Sequence, residues 1–497
     1  MYNLQKAYTG GKLASKKWQN LYEQERAAGR HGGGMEINMI LIQNGTLVRP
    51  EGSLRADILI DGEKIVRIDE HIEAPDGCTV KDASGKLVFP GFIDAHTHFD
   101  LHVAGTVTID DFSSGTKAEA AGGTTTIVDF GTAYPGESLN EGLDNWFRKA
   151  ECGCSCDYGF HQTITEWNDS ISAEIPDMIE RGASTFKIYM TYDTQIDDAS
   201  ILKVLQRLRE CGTTTGCHCE NSGLIDALRE EYAEDDVKKR AVSSHYLTRP
   251  AAAEAEAIGR YCHLAEVADE PVIDVHLTCE EGLEEIRAAR KRGQKVYVET
   301  CPQYLVLDDS LYEREPFEEA SKYVCAPPLR KKADQDALWN AIRDGEIQTV
   351  STDHCSFTVG QKKLGKDDFR KIPGGMPGAE TRGAVLYSEG VAKGRISKEK
   401  MCEVLCENPA RLYGMYPQKG TLSVGSDADI VILDPGRKYV ISAENQVSRC
   451  DYAPLEGMEI SCVIEEVYLR GTLIARDGQV VCENQGRYVK RALPELF

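Results

Sequence analysis

His96 and His98 stand two residues apart at the end of an apolar run, in the stretch Phe-Pro-Gly-Phe-Ile-Asp-Ala-His-Thr-His-Phe-Asp-Leu (89–101). Alternate residues of a strand point the same way, so both imidazoles can face one point beyond the strand's end. Imidazole is a common ligand for zinc and similar ions. Such a pair is a weak signal by itself. It gains weight because other candidate ligands end later apolar runs: Lys187 in Ser-Thr-Phe-Lys-Ile-Tyr-Met, His218 before Cys219-Glu220-Asn221, His276 in Asp-Val-His-Leu-Thr, and Asp353 in Val-Ser-Thr-Asp-His.

Lys187 is the unexpected member, because an ammonium repels cations. Burial beside metal depresses a lysine's pKa, and the neutral amine can then add carbon dioxide. The resulting carbamate is an anion whose two oxygens can bridge two metals. Two divalent ions bring four positive charges. A carbamate, Asp353 and a hydroxide remove three, leaving about one, whereas an ammonium in place of the carbamate leaves about three, which is costly to bury.

These groups need a scaffold that gathers strand ends. Apolar runs at 87–96, 124–130, 157–163, 184–190, 213–218, 271–276, 295–300 and 347–353 alternate with helical patterns such as 198–211 and 251–269. Runs buried on both faces with helical crossovers indicate a parallel sheet. Eight of them predict an α/β fold, a (β/α)8 TIM-like barrel over residues 89–417, with active-site groups at the strands' C-terminal ends. No G-x-G-x-x-G follows a first strand to support a doubly wound open sheet. Short alternating runs at 39–42, 56–60 and 64–68 return in kind at 429–433, 462–469 and 472–475. Segments 35–88 and 418–480 are therefore expected to form one small β-sandwich from both ends of the chain. Residues 481–497 read as a C-terminal tail, and residues 1–34, ending in three glycines, as a flexible extension without chemistry.

Composition narrows the function. The chain has 497 residues, 28% charged, with a net charge of −23. That charge argues against nucleic acid, which needs a basic surface. No apolar stretch is long enough to cross a bilayer, and no secretory signal is visible. Seventeen cysteines in such a chain point to a reducing cytoplasm. Cys152, Cys154 and Cys156 are spaced too tightly for a zinc finger, and Cys217 and Cys219 flank His218 without a second pair. His102, His161 and His245 are read as structural or loop histidines.

The chain resembles the hydantoinase/dihydropyrimidinase family of the cyclic amidohydrolase superfamily. The resemblance rests on Pro-Gly-Phe-Ile-Asp-Ala-His-Thr-His-Phe (90–99), Ala-Gly-Gly-Thr-Thr-Thr (121–126), Phe-Lys-Ile-Tyr-Met-Thr-Tyr (186–192), His-Cys-Glu-Asn (218–221), His-Tyr-Leu-Thr-Arg-Pro (245–250), Glu-Thr-Cys-Pro-Gln-Tyr-Leu (299–305), Pro-Pro-Leu-Arg (327–330), Ser-Thr-Asp-His-Cys (351–355) and Gly-Ser-Asp-Ala-Asp-Ile-Val (425–431). It implies a homotetramer with two divalent ions, zinc by donor type, with manganese or iron as alternatives. It implies that His96, His98 and Asp353 hold one ion and His218 and His276 the other. Carbamylated Lys187 bridges them. The implied reaction hydrolyses the cyclic amide of a hydantoin-like or dihydropyrimidine-like ring to an N-carbamoyl amino acid, by a hydroxide bridging the metals. Asp353 then acts as general base and acid, and Tyr192 binds the carbonyl oxygen as charge develops.

The resemblance also places Ala326 and Gly374 against the ring amide, where relatives carry Ser and Asn. These contacts run largely through the backbone, so they survive the change. Dihydroorotase-like relatives carry Arg two residues after the H-x-H pair. Asp100 stands there and disfavours an anionic substrate. The loop with Phe99, Leu101, Val103 and Val107 is expected either to receive a substituent outside the ring or simply to pack. Allantoinase, or hydrolysis of another heterocycle from purine breakdown, is the nearest enzymatic alternative. A mononuclear deaminase has no use for Lys187. A non-enzymatic binding protein of the dihydropyrimidinase-related kind conflicts with six intact ligand positions.

Overall fold

The computed structural model describes residues 39–497, so the extension expected at 1–34 lies outside the described residues. Eight parallel strands form one sheet: Phe92–Thr97, Thr124–Thr132, Asp157–Thr163, Phe186–Tyr189, Thr215–His218, Val272–Asp274, Val296–Thr300 and Thr349–Val350. Each pairs with the next in chain order. The ring closes through a parallel bridge between Thr97 and His354, just past the last strand. This is the expected (β/α)8 barrel.

The crossovers follow their sequence pattern. In helix Asp198–Cys211, Ile201, Val204, Leu205 and Leu208 fall on one face and are buried. Each such side chain contributes about 1.5–3 kcal/mol on leaving water. Asp197 starts the helix by accepting from the Ser200 N–H, and Gly212, at φ 69°, ends it in the left-handed conformation.

The run at 87–96 is not one strand, as expected from its hydrophobicity, but two. Leu87–Pro90 pairs antiparallel with Ile430–Asp434 in a second sheet, and the barrel begins at Phe92. Gly91 makes the crossing possible. Its N–H donates to Asp429 O at 2.8 Å, and a Cβ there would lie 2.0 Å from Thr125 Oγ1.

The second sheet has nine strands, five from residues 39–90 and four from residues 430–480. Alternation sets its two faces. Ile40, Ile42, Ile58 and Ile60 join Ile430 and Ile432 in one cluster, while Leu41, Leu59 and Val66 join Ile72 in another. The sheet curls until Ile65 N–H donates to Ser426 O at 3.1 Å, giving the β-sandwich beside the barrel.

Residues 481–497 pack rather than trail. Val489 N–H donates to Tyr158 O at 2.7 Å. Arg491 is buried and donates to Thr185 Oγ1 at 2.8 Å and to the Phe160 carbonyl. The segment thus runs past the beginnings of the barrel strands. Among the described residues, no helix is long and apolar enough to cross a membrane.

Candidate metal centre

The six expected ligands meet at the C-terminal mouth of the barrel. His96 and His98 end the first strand, Lys187 lies in the fourth, and His218 ends the fifth. His276 follows the sixth strand by two residues, and Asp353 follows the eighth by three. Asp353 Oδ1 lies 3.2 Å from His96 Nε2 and 3.1 Å from His98 Nε2. These three side chains could hold one ion. The His96 and His276 rings are 5.3 Å apart, and those of His276 and His218 are 4.6 Å apart, which extends the cluster to a second point. His276 and Asp353 adopt φ of 47° and 52°, and Tyr192 of 71°. Left-handed backbone in a non-glycine residue costs on the order of 1 kcal/mol or more and clusters at functional sites.

Two buried nitrogens of this cluster, His96 Nε2 and Lys187 Nζ, have no hydrogen-bond partner. Lys187 is only 1% exposed, and its Nζ sits 5.1 Å and 5.2 Å from the ring centres of Phe130 and Tyr189. Burial pushes the ammonium below the usual lysine range, although Glu299 and Asp353 oppose this. Burial likewise drives His96, His218 and His276 below the usual imidazole range, so they present neutral rings. Burial would raise the Asp353 pKa, but His96, His98 and Lys187 outweigh it and hold the carboxylate ionised. Clustered imidazoles, a carboxylate and a buried lysine without a hydrogen-bond partner together form a set that fits divalent cations.

Side chains behind the ligands aim them. His96 Nδ1 is 2.6 Å from Glu299 Oε1, and Ser351 Oγ donates to the other oxygen at 2.7 Å. Burial pushes Glu299 up to about 8. A cation at His96 Nε2 requires the proton on Nδ1, where Glu299 can accept it. On the other side, His218 Nε2–H donates to Glu220 Oε2 at 2.7 Å. Burial would raise the Glu220 pKa, but Arg249, ion-paired to it, and His218 hold it at about 2. That leaves His218 Nδ1 for the site. Arg249 also lies over the Tyr192 ring, 5.4 Å from its centre. His354 Nε2 binds Asp110, while its Nδ1 accepts from the Gly378 and Ala379 N–H groups, anchoring the chain just after Asp353.

Glu299, Glu220, Arg249 and His354 were missed in the sequence reading. Glu220 was findable, since it lies two residues from His218 and alternation puts both on one face. His161 is spent on Thr185 Oγ1 and Ala95 O, and His245 on Cys325 O, as structural histidines. His102 is exposed on the hairpin His102–Val107. Cys156 donates to Thr116 O and Thr124 O and Cys154 to Ala150 O, so these two are packing, while Cys152 is exposed.

Three expectations concern the substrate end. Phe99 is fully buried against Phe112 and His354, so it packs the core and receives no substituent. The Asp100 carboxylate lies 3.9 Å from Lys149 Nζ, so its charge is shared and repels an anion less than expected. Ala326 and Gly374 do face each other, with a Cβ at Gly374 falling 3.8 Å from Ala326 Cβ. A backbone demand for glycine lies one residue on. Gly375 has φ 153°, and a Cβ there would meet Cys355 O at 2.3 Å. Tyr192 is 40% exposed, its ring 5.0 Å from that of His218, at the open side of the cluster.

A second acidic cluster, Asp157, Asp427 and Asp429, is filled by a lysine of the chain itself. Lys419 Nζ lies 2.8, 3.2 and 2.6 Å from the three carboxylates.

The amidohydrolase family profile matches residues 87–474. The D-hydantoinase of Geobacillus stearothermophilus is 45% identical over 457 residues, covering 91% of this chain and 96% of that protein. The D-hydantoinase of Ralstonia pickettii is 42% identical over 456 residues, covering 91% and 98%. The crystal structure of dihydropyrimidinase from Brevibacillus agri NCHU1002 superposes with a TM-score of 0.89 at 43% identity, covering 92% of this chain and 99% of that one. That family implies a divalent metal centre and a small-molecule substrate, and the mouth of this barrel carries residues suited to both. The chain is a cyclic amidohydrolase and belongs to the hydantoinase/dihydropyrimidinase family.

Proposed function

We propose that the chain hydrolyses the endocyclic amide bond of hydantoin-like and dihydropyrimidine-like rings, releasing an N-carbamoyl amino acid. The observation that carries this reading is the gathering of two buried nitrogens without a hydrogen-bond partner, His96 Nε2 and Lys187 Nζ, around the Asp353 carboxylate at the barrel mouth. In this reading His96, His98 and Asp353 would hold one zinc ion, His218 and His276 would hold a second, and Lys187, carboxylated on Nζ, would supply an anionic ligand. Bound divalent ions lower the pKa of a water from 15.7 to roughly 7 and polarise a carbonyl.

The chain's own groups do the rest. Asp353 accepts the proton of the attacking water and returns it to the leaving ring nitrogen. Tyr192 O–H donates to the ring oxygen as negative charge develops there. Glu220 and Glu299 keep His218 and His96 in fixed tautomers. Backbone groups beside Ala326 and Gly374 receive the ring amide. Two relatives carry the name D-hydantoinase, and the proposal extends to a preference of this chain for the D hand of 5-substituted rings. A cytoplasmic homotetramer completes the proposal.

The test is a hydrolysis panel of 5-substituted hydantoins of both hands, dihydrouracil, allantoin and dihydroorotate. D-5-substituted hydantoins and dihydrouracil should open fastest. Turnover confined to allantoin or dihydroorotate would overturn the assignment.

A further inference from the structure

Two loops form the wall where Ala326 and Gly374 meet. Gly375 N–H donates to Val324 O at 2.9 Å and holds the loops edge to edge. Behind them lies Lys362, fully buried in the short helix Val359–Lys362. Its Nζ donates to Val324 O, Pro373 O and Gly375 O, each at 2.7 Å. An ammonium has three N–H groups, and here each meets a carbonyl of one loop or the other. The partners are carbonyls rather than a carboxylate, an expensive way to bury a charge. Such a cation persists where its geometry matters more than its cost.

We propose that Lys362 is a positioning residue: its ammonium fixes the 324–327 loop against the 373–376 loop, and with it the backbone groups that meet the substrate ring. This rests on the reading that these loops contact the ring.

The arrangement has a pH consequence. Burial pushes Lys362 down to about 8. A neutral amine has two N–H groups and cannot serve three carbonyls. One of the three contacts to the loops is then lost, and the wall loosens as the medium turns alkaline. The titratable groups facing Lys362 are Cys325, Cys355 and Cys450, and His245, which bonds to Cys325 O and which burial pushes down to about 3, so it stays neutral. Burial raises all three thiols, Cys325 and Cys450 to about 12, so they stay neutral through this range.

The experiment compares wild type with Lys362→Met, both metal-loaded, using dihydrouracil, whose ring does not titrate in the range. Turnover by wild type at pH 7 is read first. Metal content, kcat and KM are then followed from pH 6.5 to 10. A misplaced ring contact weakens ground-state and transition-state binding alike, so KM should rise about tenfold in the variant while kcat falls less. In wild type KM should climb with a midpoint near 8, and the variant should lack that limb. A folded variant with full metal and unchanged KM and pH profile overturns the role of Lys362. If the variant does not fold, a wild-type KM that is flat across the range overturns it. A wild type that opens no ring overturns the functional reading, and this role with it.

Discussion

Replacing Asp353 with Asn is the sharpest perturbation available at the centre. Asp353 sits at φ 52°, a left-handed conformation that Asn tolerates, and the two side chains match in size. The change removes one negative charge that stands 3.2 Å from His96 Nε2 and 3.1 Å from His98 Nε2. It also removes the group that takes and returns the proton. A positioned general acid–base contributes roughly 10²–10⁴-fold, which at 1.36 kcal/mol per decade is about 2.7–5.4 kcal/mol of barrier. Charge counting predicts weaker metal binding as well, since the net positive charge of a loaded site rises by one. The assay is kcat on a D-5-substituted hydantoin at saturating zinc, with metal per chain measured on the same sample. The expected outcome is a kcat lower by roughly 10²–10⁴, with metal retained while the ion is in excess. A fully loaded Asp353→Asn protein within about threefold of wild-type kcat would refute the proton-transfer role.

The ring wall and a distant acid give further tests. Gly375→Ala forces a Cβ to 2.3 Å from Cys355 O and should abolish turnover or folding, whereas Gly374→Ala meets its nearest neighbour at 3.8 Å and should leave stability within about 0.5 kcal/mol. Thermal melts and kcat check both, and equal effects would contradict the assignment. Glu380 accepts from the Val447 and Ser448 N–H groups, and burial pushes it up to about 7 from 4.5. The folded state therefore binds more protons than the unfolded state between those values, so stability falls as pH rises through that window. At 1.36 kcal/mol per pH unit the upper bound is about 3 kcal/mol. Glu380→Gln should be more stable than wild type at pH 8, with the difference shrinking towards pH 5 in urea titrations. A difference that does not change with pH would be contrary to the burial argument.

Much of this site was legible because its chemistry is carried by strand ends. His96, His98, Lys187, His218, His276 and Asp353 end or closely follow apolar runs, and a barrel gathers such ends. What stayed hidden depends on partners distant in the chain. Glu299 is 203 residues from His96, and no periodicity announces their bond. Arg249 stood in the sequence only as part of the 245–250 motif, yet it is ion-paired to the residue that orients His218. The strand break at Gly91 was invisible because hydrophobicity does not say which sheet a residue joins. Phe99 is a different case. Alternation already put it on the face opposite His98, so its burial against Phe112 was deducible. Residues 481–497 read as a tail, but Arg491 spends its donors on the barrel's own groups.

The central claim is that Lys187 serves as an anion shared by two metal ions. The most direct measurement is an electron-density map of the zinc-loaded, active enzyme at a resolution that defines the end of this side chain. The account predicts a planar carboxylate bonded to Nζ with an oxygen on each of two ions. A bare amine in the active enzyme, or a single ion per chain at full activity, would contradict it.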